Sequence, residues 1–330
     1  MGGRPNRRRL LAVAAMATPV AMLPWSSLVG AQSATEDVGV WSTRAAMPTA
    51  RSELGVTELD GRMYVLGGYA LGDVDQPLNQ VYDPSLDGWQ TLAPMPRGLN
   101  HVALVGLNHF VYAFGGFQQQ NQDAVADVNV YDPSADTWTS ASPLPSPLGA
   151  MAVVAFGNQL HLIGGRDTAS VSTHRIYDPS ADQWSEAASM QQPRDHLAVA
   201  AINGLLHAVG GRLNTSANNL SVHEQYDPTR DAWEARATLP TPRSGAAAAV
   251  LGGHMIVAGG ERTGGVFDVN EAYDPGTDSW TTLAPLPSGR HGTGAAAIGG
   301  VAYVPGGGPV MGGSRQLAEN LMFNPPALWS

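Results

Sequence analysis

The sequence predicts an all-β fold: a six-bladed propeller with four antiparallel strands per blade, closed by an outer strand from the N-terminal end. Three recurrences predict it. Trp stands at 41, 89, 138, 184, 233 and 280, Gly-Gly begins at 67, 115, 164, 210, 259 and 306, and Tyr-Asp-Pro begins at 82, 131, 177, 226 and 273. A unit repeated every 46 to 49 residues is the mark of a propeller or a solenoid. Each Trp lies 26 residues before the next Gly-Gly, and each tyrosine of Tyr-Asp-Pro lies 7 before its Trp. The length varies only between Gly-Gly and Tyr-Asp-Pro, where the offsets are 15, 16, 13, 16 and 14. A variable loop on a fixed frame is where binding usually sits.

Each strand follows from local chemistry. In the first repeat, residues 54–59 read as a strand, Asp60-Gly61 as a two-residue hairpin turn, and 63–66 as the second strand. Asn203-Gly204, Gly252-Gly253 and Gly299-Gly300 supply the same positive-φ turn chemistry in other repeats. A third strand ends at Tyr82-Asp83-Pro84, whose Pro and Asp set a turn closed by Asp87, and the fourth begins at Trp89. The sixth repeat stops one residue after Trp329, with a degenerate Phe323-Asn324-Pro325, so it lacks a fourth strand. Residues 38–45 around Trp41 match the outer strand of the other repeats and are expected to complete blade 6, with Trp329 capping the edge.

Gly-Gly after an apolar strand, Tyr-Asp-Pro, an Asp two before each Trp from 89 to 280, and Met47-Pro48-Thr49-Ala50-Arg51 together resemble kelch repeats, over residues 38 to 329. The resemblance implies a kelch propeller of an exported bacterial type. It says less about function, since such propellers serve as binding modules more often than as enzymes.

Residues 1–31 read as a signal peptide and 32–330 as a single propeller domain. Arg4, Arg7, Arg8 and Arg9 form a positive region, residues 10–23 an apolar run interrupted by Pro19, and Val29-Gly30-Ala31 a small-residue cleavage site. Asn6-Arg7-Arg8-Arg9-Leu10-Leu11 resembles a twin-arginine export motif; a general secretion signal and an uncleaved anchor are the other readings. The expected location is periplasmic, secreted or cell-surface. No later run is long and apolar enough to span a bilayer.

Without that leader, 14 Arg stand against 28 Asp and Glu, a formal charge of −14. No positive field would draw in phosphate, so nucleic acid is excluded as a partner. The chain has neither Cys nor Lys, which removes disulfides, Cys metal sites, Cys nucleophiles and Schiff-base lysines. The copper oxidases built on kelch propellers use a cysteine-linked tyrosine, and that cofactor cannot form here. No cofactor is expected, and the chain is read as a monomer.

The first strands should line the central channel, and they are small and apolar, with Glu58 their only charge. Such a wall offers no acid/base pair. Of the nine His, His161 and His207 sit three before Gly-Gly, where other repeats carry Tyr64, Tyr112 and Tyr303; this marks a structural slot. His101, His196 and His291 lie near the loops entering blades 2, 4 and 6, and no metal site is expected from them. Asp73 and Asp75 lack the glycine and distal Glu of a calcium loop. Asn214 and Asn219 open N-x-S sequons.

In a four-strand meander, the loop between strands two and three and the loop into the next blade emerge on one face. Ten residues after each Trp that face carries Arg51, Leu99, Leu148, Arg194, Arg243 and Arg290; directly after Gly-Gly it carries Tyr69, Phe117, Arg166, Arg212, Glu261 and Gly308. An apolar sector of Tyr69, Leu99, Phe117 and Leu148 is therefore expected beside a basic one. In kelch substrate adaptors, which the chain resembles, arginines at these positions grip acidic peptides; this implies Arg51, Arg194, Arg243 and Arg290, with Ser52 and Ser244 beside two of them. A guanidinium fork also suits loop carbonyls, so the same arginines can be read as scaffold. The expected function is binding of a peptide, protein or acidic glycan on the loop face. The alternative is an enzyme resembling the bacterial kelch sialic-acid mutarotases, with Glu261 and Arg212 or Arg262 as its working pair.

Overall fold

The computed structural model describes residues 1–3 and 37–329; nearly all of the leader read at 1–31 lies outside the described residues. From Asp37 onward the chain is six four-stranded antiparallel sheets. Blade 1 is Gly55–Leu59, Arg62–Leu66, Asn79–Asp83 and Gly88–Leu92. The next four blades repeat this order, each with its innermost strand first: Ala103–Leu107, Ala152–Phe156, Ala198–Ile202 and Ala247–Leu251. Blade 6 is Ala296–Ile298, Val301–Pro305 and Asn320–Asn324, completed by Val40–Arg44.

That last pairing closes the ring as expected. Val40–Arg44 runs antiparallel to Asn320–Asn324 with Trp41 opposite Phe323, their rings 4.9 Å apart. Trp329 does not compete for this place. It lies in a 3₁₀ turn, Ala327–Trp329, and stacks on His254 at 4.0 Å.

The repeated residues hold neighbouring blades together. Each repeated Trp donates its indole N–H to a carbonyl of the preceding repeat, as Trp89 does to Ala45 at 2.8 Å and Trp138 to Ala93 at 2.9 Å. The Asp two before the Trp accepts twice: Asp136 takes the Tyr131 hydroxyl at 2.5 Å and the Ala93 amide at 2.8 Å. The motif thus pairs half-buried polar groups along the rim of a seam whose interior is apolar. Between blades 6 and 1, for example, Met63, Tyr82, Tyr303 and Met322 pack together, all buried, each large side chain stabilising by about 1.5–3 kcal/mol.

Candidate functional site

The arginines ten residues after the Trp are scaffold. Arg51, Arg194, Arg243 and Arg290 are 0–1 % exposed. Arg194 pairs with Glu224 and donates to Ala208 O at 3.0 Å; Arg243 pairs with Glu271 and donates to Val257 O at 2.7 Å. Arg290 pairs with Glu319 at 2.6 Å, and Arg51 donates to Gln80 Oε1 at 2.8 Å and Gly67 O at 2.7 Å. Their terminal guanidinium nitrogens donate inside the blades while Nε of Arg51, Arg194 and Arg243 stays buried without a partner, so they form no basic sector at the surface, and Ser52 and Ser244 are equally buried. The apolar sector is likewise absent: Leu99 and Leu148 are core residues because the loop entering a blade turns their position inward, and Phe117, after Gly-Gly, is buried beneath Arg166.

Other residues after Gly-Gly reach the channel mouth. Every residue at this position is tied to the residue eleven after the Trp by a backbone bridge, two-way between Asn100 and Phe117 and between Asp195 and Arg212, and through Glu261 N to Ser244 O at 2.8 Å in blade 5. These bridges set Tyr69, Arg166, Arg212 and Glu261 around the channel mouth. There they line a cavity of about 410 Å³, with loop residues including Asn121 and Asn214 as walls and Glu53 and His101 in its lining.

One residue further along is a feature that motif reading missed. The positions twelve after each Trp are Glu53, His101, Ala150, His196, Gly245 and Gly292, and all six have left-handed backbone, with φ between 52° and 62°. They form a ring around the channel, each amide donating to the preceding member's carbonyl: His101 to Glu53 at 2.9 Å, Ala150 to His101 at 3.2 Å, His196 to Ala150 at 2.9 Å, Gly245 to His196 at 2.9 Å, and Gly292 to Gly245 at 3.0 Å. Leu54 N to Gly292 O at 3.4 Å completes the circle. Glycine takes this conformation without cost, whereas a side chain there is strained. Four blades nevertheless carry one, and three of those are titratable.

Those side chains and their neighbours form one buried network. His101 Nε2 lies 3.0 Å from Glu53 Oε2, and His291 Nδ1 3.1 Å from Glu53 Oε1. Burial pushes the Glu53 carboxyl up, but the two imidazoles outweigh it and hold it well below the usual carboxylate range. Burial likewise lowers His291, yet Glu53 and Glu261 raise it to about 9. Burial and the Arg212 guanidinium depress His196 to about 4. Arg212 is held by Asp195 at 3.0 Å and by Glu261. The channel wall is therefore not bare: its charge enters just before the first strands, where Glu53 and Asp195 were not foreseen.

Arg166 stands apart. Its guanidinium lies 5.0 Å over the Phe117 ring and makes one long bond, Nη2 to Asn121 O at 3.4 Å. Its Nε is buried without a partner, as in Arg51, Arg194 and Arg243, but its terminal nitrogens, unlike theirs, are nearly unpaired, and among the described residues no carboxylate lies in salt-bridge contact with it. Arg262 lies 5.1 Å over Phe267, so Arg212, not Arg262, is the arginine in contact with Glu261.

Repeats, blade count and strand order together define a six-bladed β-propeller built from kelch-type units. The chain belongs to the Attractin/LZTR1 beta-propeller family, whose model matches residues 63–308. It is 37% identical to beta-scruin of Limulus polyphemus over 95 residues, 28% of this chain and 10% of that one. It is 33% identical to the kelch-like protein terF of Aspergillus terreus over 116 residues, 30% of this chain and 24% of that one. The matches thus span no more than about a quarter of these relatives' length. The solved structure of YjhT superposes with a TM-score of 0.73 over 85% of this chain and 97% of that one, at 16% identity; the likeness is one of fold.

Proposed function

We propose that this chain is an exported kelch-type binding module whose loop-face pocket holds a small acidic ligand, the carboxylated end of a glycan. The observation that carries the reading is Arg166, a partly desolvated guanidinium with donors left over in a cavity of about 410 Å³. That volume suits a sugar of one or two rings, not a folded partner, and the amide and hydroxyl groups of Gln120, Asn214 and Ser216 in the lining suit sugar hydroxyls. A carboxylate accepts two parallel N–H bonds from a guanidinium. The leader supports export, with the periplasm or cell surface as the location.

An array of sialic, uronic and neutral glycans, followed by calorimetry on the hits, tests this. Arg166→Ala should weaken binding by roughly 1.5–3 kcal/mol for each charge-assisted bond lost, and salt should weaken the parent more than the variant. Equal binding of neutral and acidic sugars would refute it. A second reading is favoured by Glu53, His101 and Glu261 in the same lining: a sugar-modifying enzyme resembling the sialic-acid mutarotases, with Glu261, held by Arg212, moving a proton. Loss of mutarotation in Glu261→Gln with retained affinity would separate catalysis from binding.

A further inference from the structure

The ring places three metal-capable side chains from three blades together. One donor atom each from Glu53, His101 and His196 lies within 4.8 Å of the others. The second nitrogen of both imidazoles is already committed. Asn100 Nδ2 donates to Asp75 Oδ1 at 2.6 Å and Phe117 O at 3.0 Å; this fixes the amide, so that Asn100 Oδ1 must accept from His101 Nδ1, 2.5 Å away. Asp195 Oδ1 accepts from His196 Nδ1 at 2.5 Å. In the neutral imidazoles both Nε2 atoms carry lone pairs, the state in which an outer acceptor holds a metal-binding imidazole.

The lone pair of His196 receives Arg212 Nη2 at 3.0 Å. That of His101 faces Glu53 Oε2 at 3.0 Å, an arrangement that either a proton or a metal ion can bridge. Donors of a tetrahedral zinc with bonds near 2.1 Å stand about 3.4 Å apart, so the 3.0 Å pair must open by only a few tenths of an ångström to take the ion. Backbone geometry adds a second, independent observation: the three side chains occupy left-handed positions that other blades give to glycine or alanine.

We propose that Glu53, His101 and His196 bind one divalent transition-metal ion of the zinc type, seated on the channel ring beside the mouth pocket. Two imidazoles and one carboxylate suit zinc better than calcium or magnesium, which prefer all-oxygen shells. Three protein donors leave coordination positions for water or a ligand. Arg212 competes for the third donor, and its Nη2 contact must yield when the ion enters. The assignment does not depend on which ligand the pocket takes.

The test is calorimetric titration of the untagged, chelator-treated protein with zinc, and with calcium for comparison. We expect one equivalent of zinc and no comparable calcium binding. His101→Gly and His196→Gly should each weaken zinc binding by at least the roughly 10- to 100-fold that loss of an outer partner costs. Both should fold, since Gly245 and Gly292 hold the equivalent ring positions at φ 62° and 61°; thermal melting checks this. Arg212→Gln should tighten zinc binding, a gain that loss of structure would not give. His109→Ala, at an exposed histidine beside Asp60, should change nothing. Absence of stoichiometric zinc binding, or unaltered binding in the two glycine variants, would overturn the proposal, as would weaker binding in Arg212→Gln.

Discussion

Arg243 offers a direct measure of what the buried arginines do. Its side chain is fully buried against a Glu271 that is itself 4 % exposed, and it donates to Thr241 O at 2.8 Å and Val257 O at 2.7 Å. Replacement by Met keeps the apolar stem but strands the Glu271 carboxylate, whose remaining partners include the Thr241 hydroxyl at 2.8 Å. Removing one member of a buried ion pair costs about 3–5 kcal/mol, because the other charge is left uncompensated. At roughly 2–4 °C per kcal/mol for a large domain, melting should fall by about 6–20 °C, nearer the low end for a propeller of this size. The double variant Arg243→Met with Glu271→Leu should recover most of this, since an apolar pair of similar volume is often neutral or stabilising. Scanning calorimetry on both variants reads the effect. A single variant that melts with the parent while losing ligand affinity would refute the scaffold assignment and return Arg243 to the binding face.

Other outcomes follow from the same structure. A chain beginning at Met47 lacks the strand Val40–Arg44 and exposes the edge of Asn320–Asn324; it should lose several kcal/mol of stability in denaturant titration, and equal stability would mean blade 6 is closed otherwise. The buried pairs His161 with His174 and His207 with His223 stand 2.8 and 2.9 Å apart, and burial drives His161 and His207 down to about 4, His174 and His223 to about 3. The unfolded chain takes up these protons near pH 6.5 and the folded chain does not, so stability should fall as pH drops from about 6.5 toward 4, by about 1.4 kcal/mol per pH unit for each proton. His161→Tyr with His174→Val, which copies Tyr112 and Val128 of blade 2, should remove that pair's share of the slope of the urea midpoint against pH and leave the share of His207 and His223.

The blades were legible because their ties repeat: the same Trp, Tyr and Asp serve every seam, so spacing alone exposes them. The arginines were legible by position but not by environment. Their partners Glu224 and Glu271 stand two before the tyrosine of Tyr-Asp-Pro, and no local pattern links that strand to the loop thirty residues earlier. The ring was the hardest to see. Its backbone is uniform while its side chains differ from blade to blade, so a search for recurrence passes over Glu53, His101 and His196. The trace it does leave is the glycine in blades 5 and 6, a sign of left-handed backbone wherever that position recurs. Asp195, which orients His196, carries no signal of its own.

Pairing Val40–Arg44 with Asn320–Asn324 makes the first and last strands of the propeller mutually dependent as the polypeptide grows. During synthesis the first strand to emerge must wait for its partner while five other sheets assemble, since contacts across so long a separation come late. Any product truncated before residue 320 is left with two open edges, and open edges invite pairing with other chains. The seam between blades 6 and 1 therefore acts as a checkpoint for length: a closed ring certifies a chain translated to the end of its last blade.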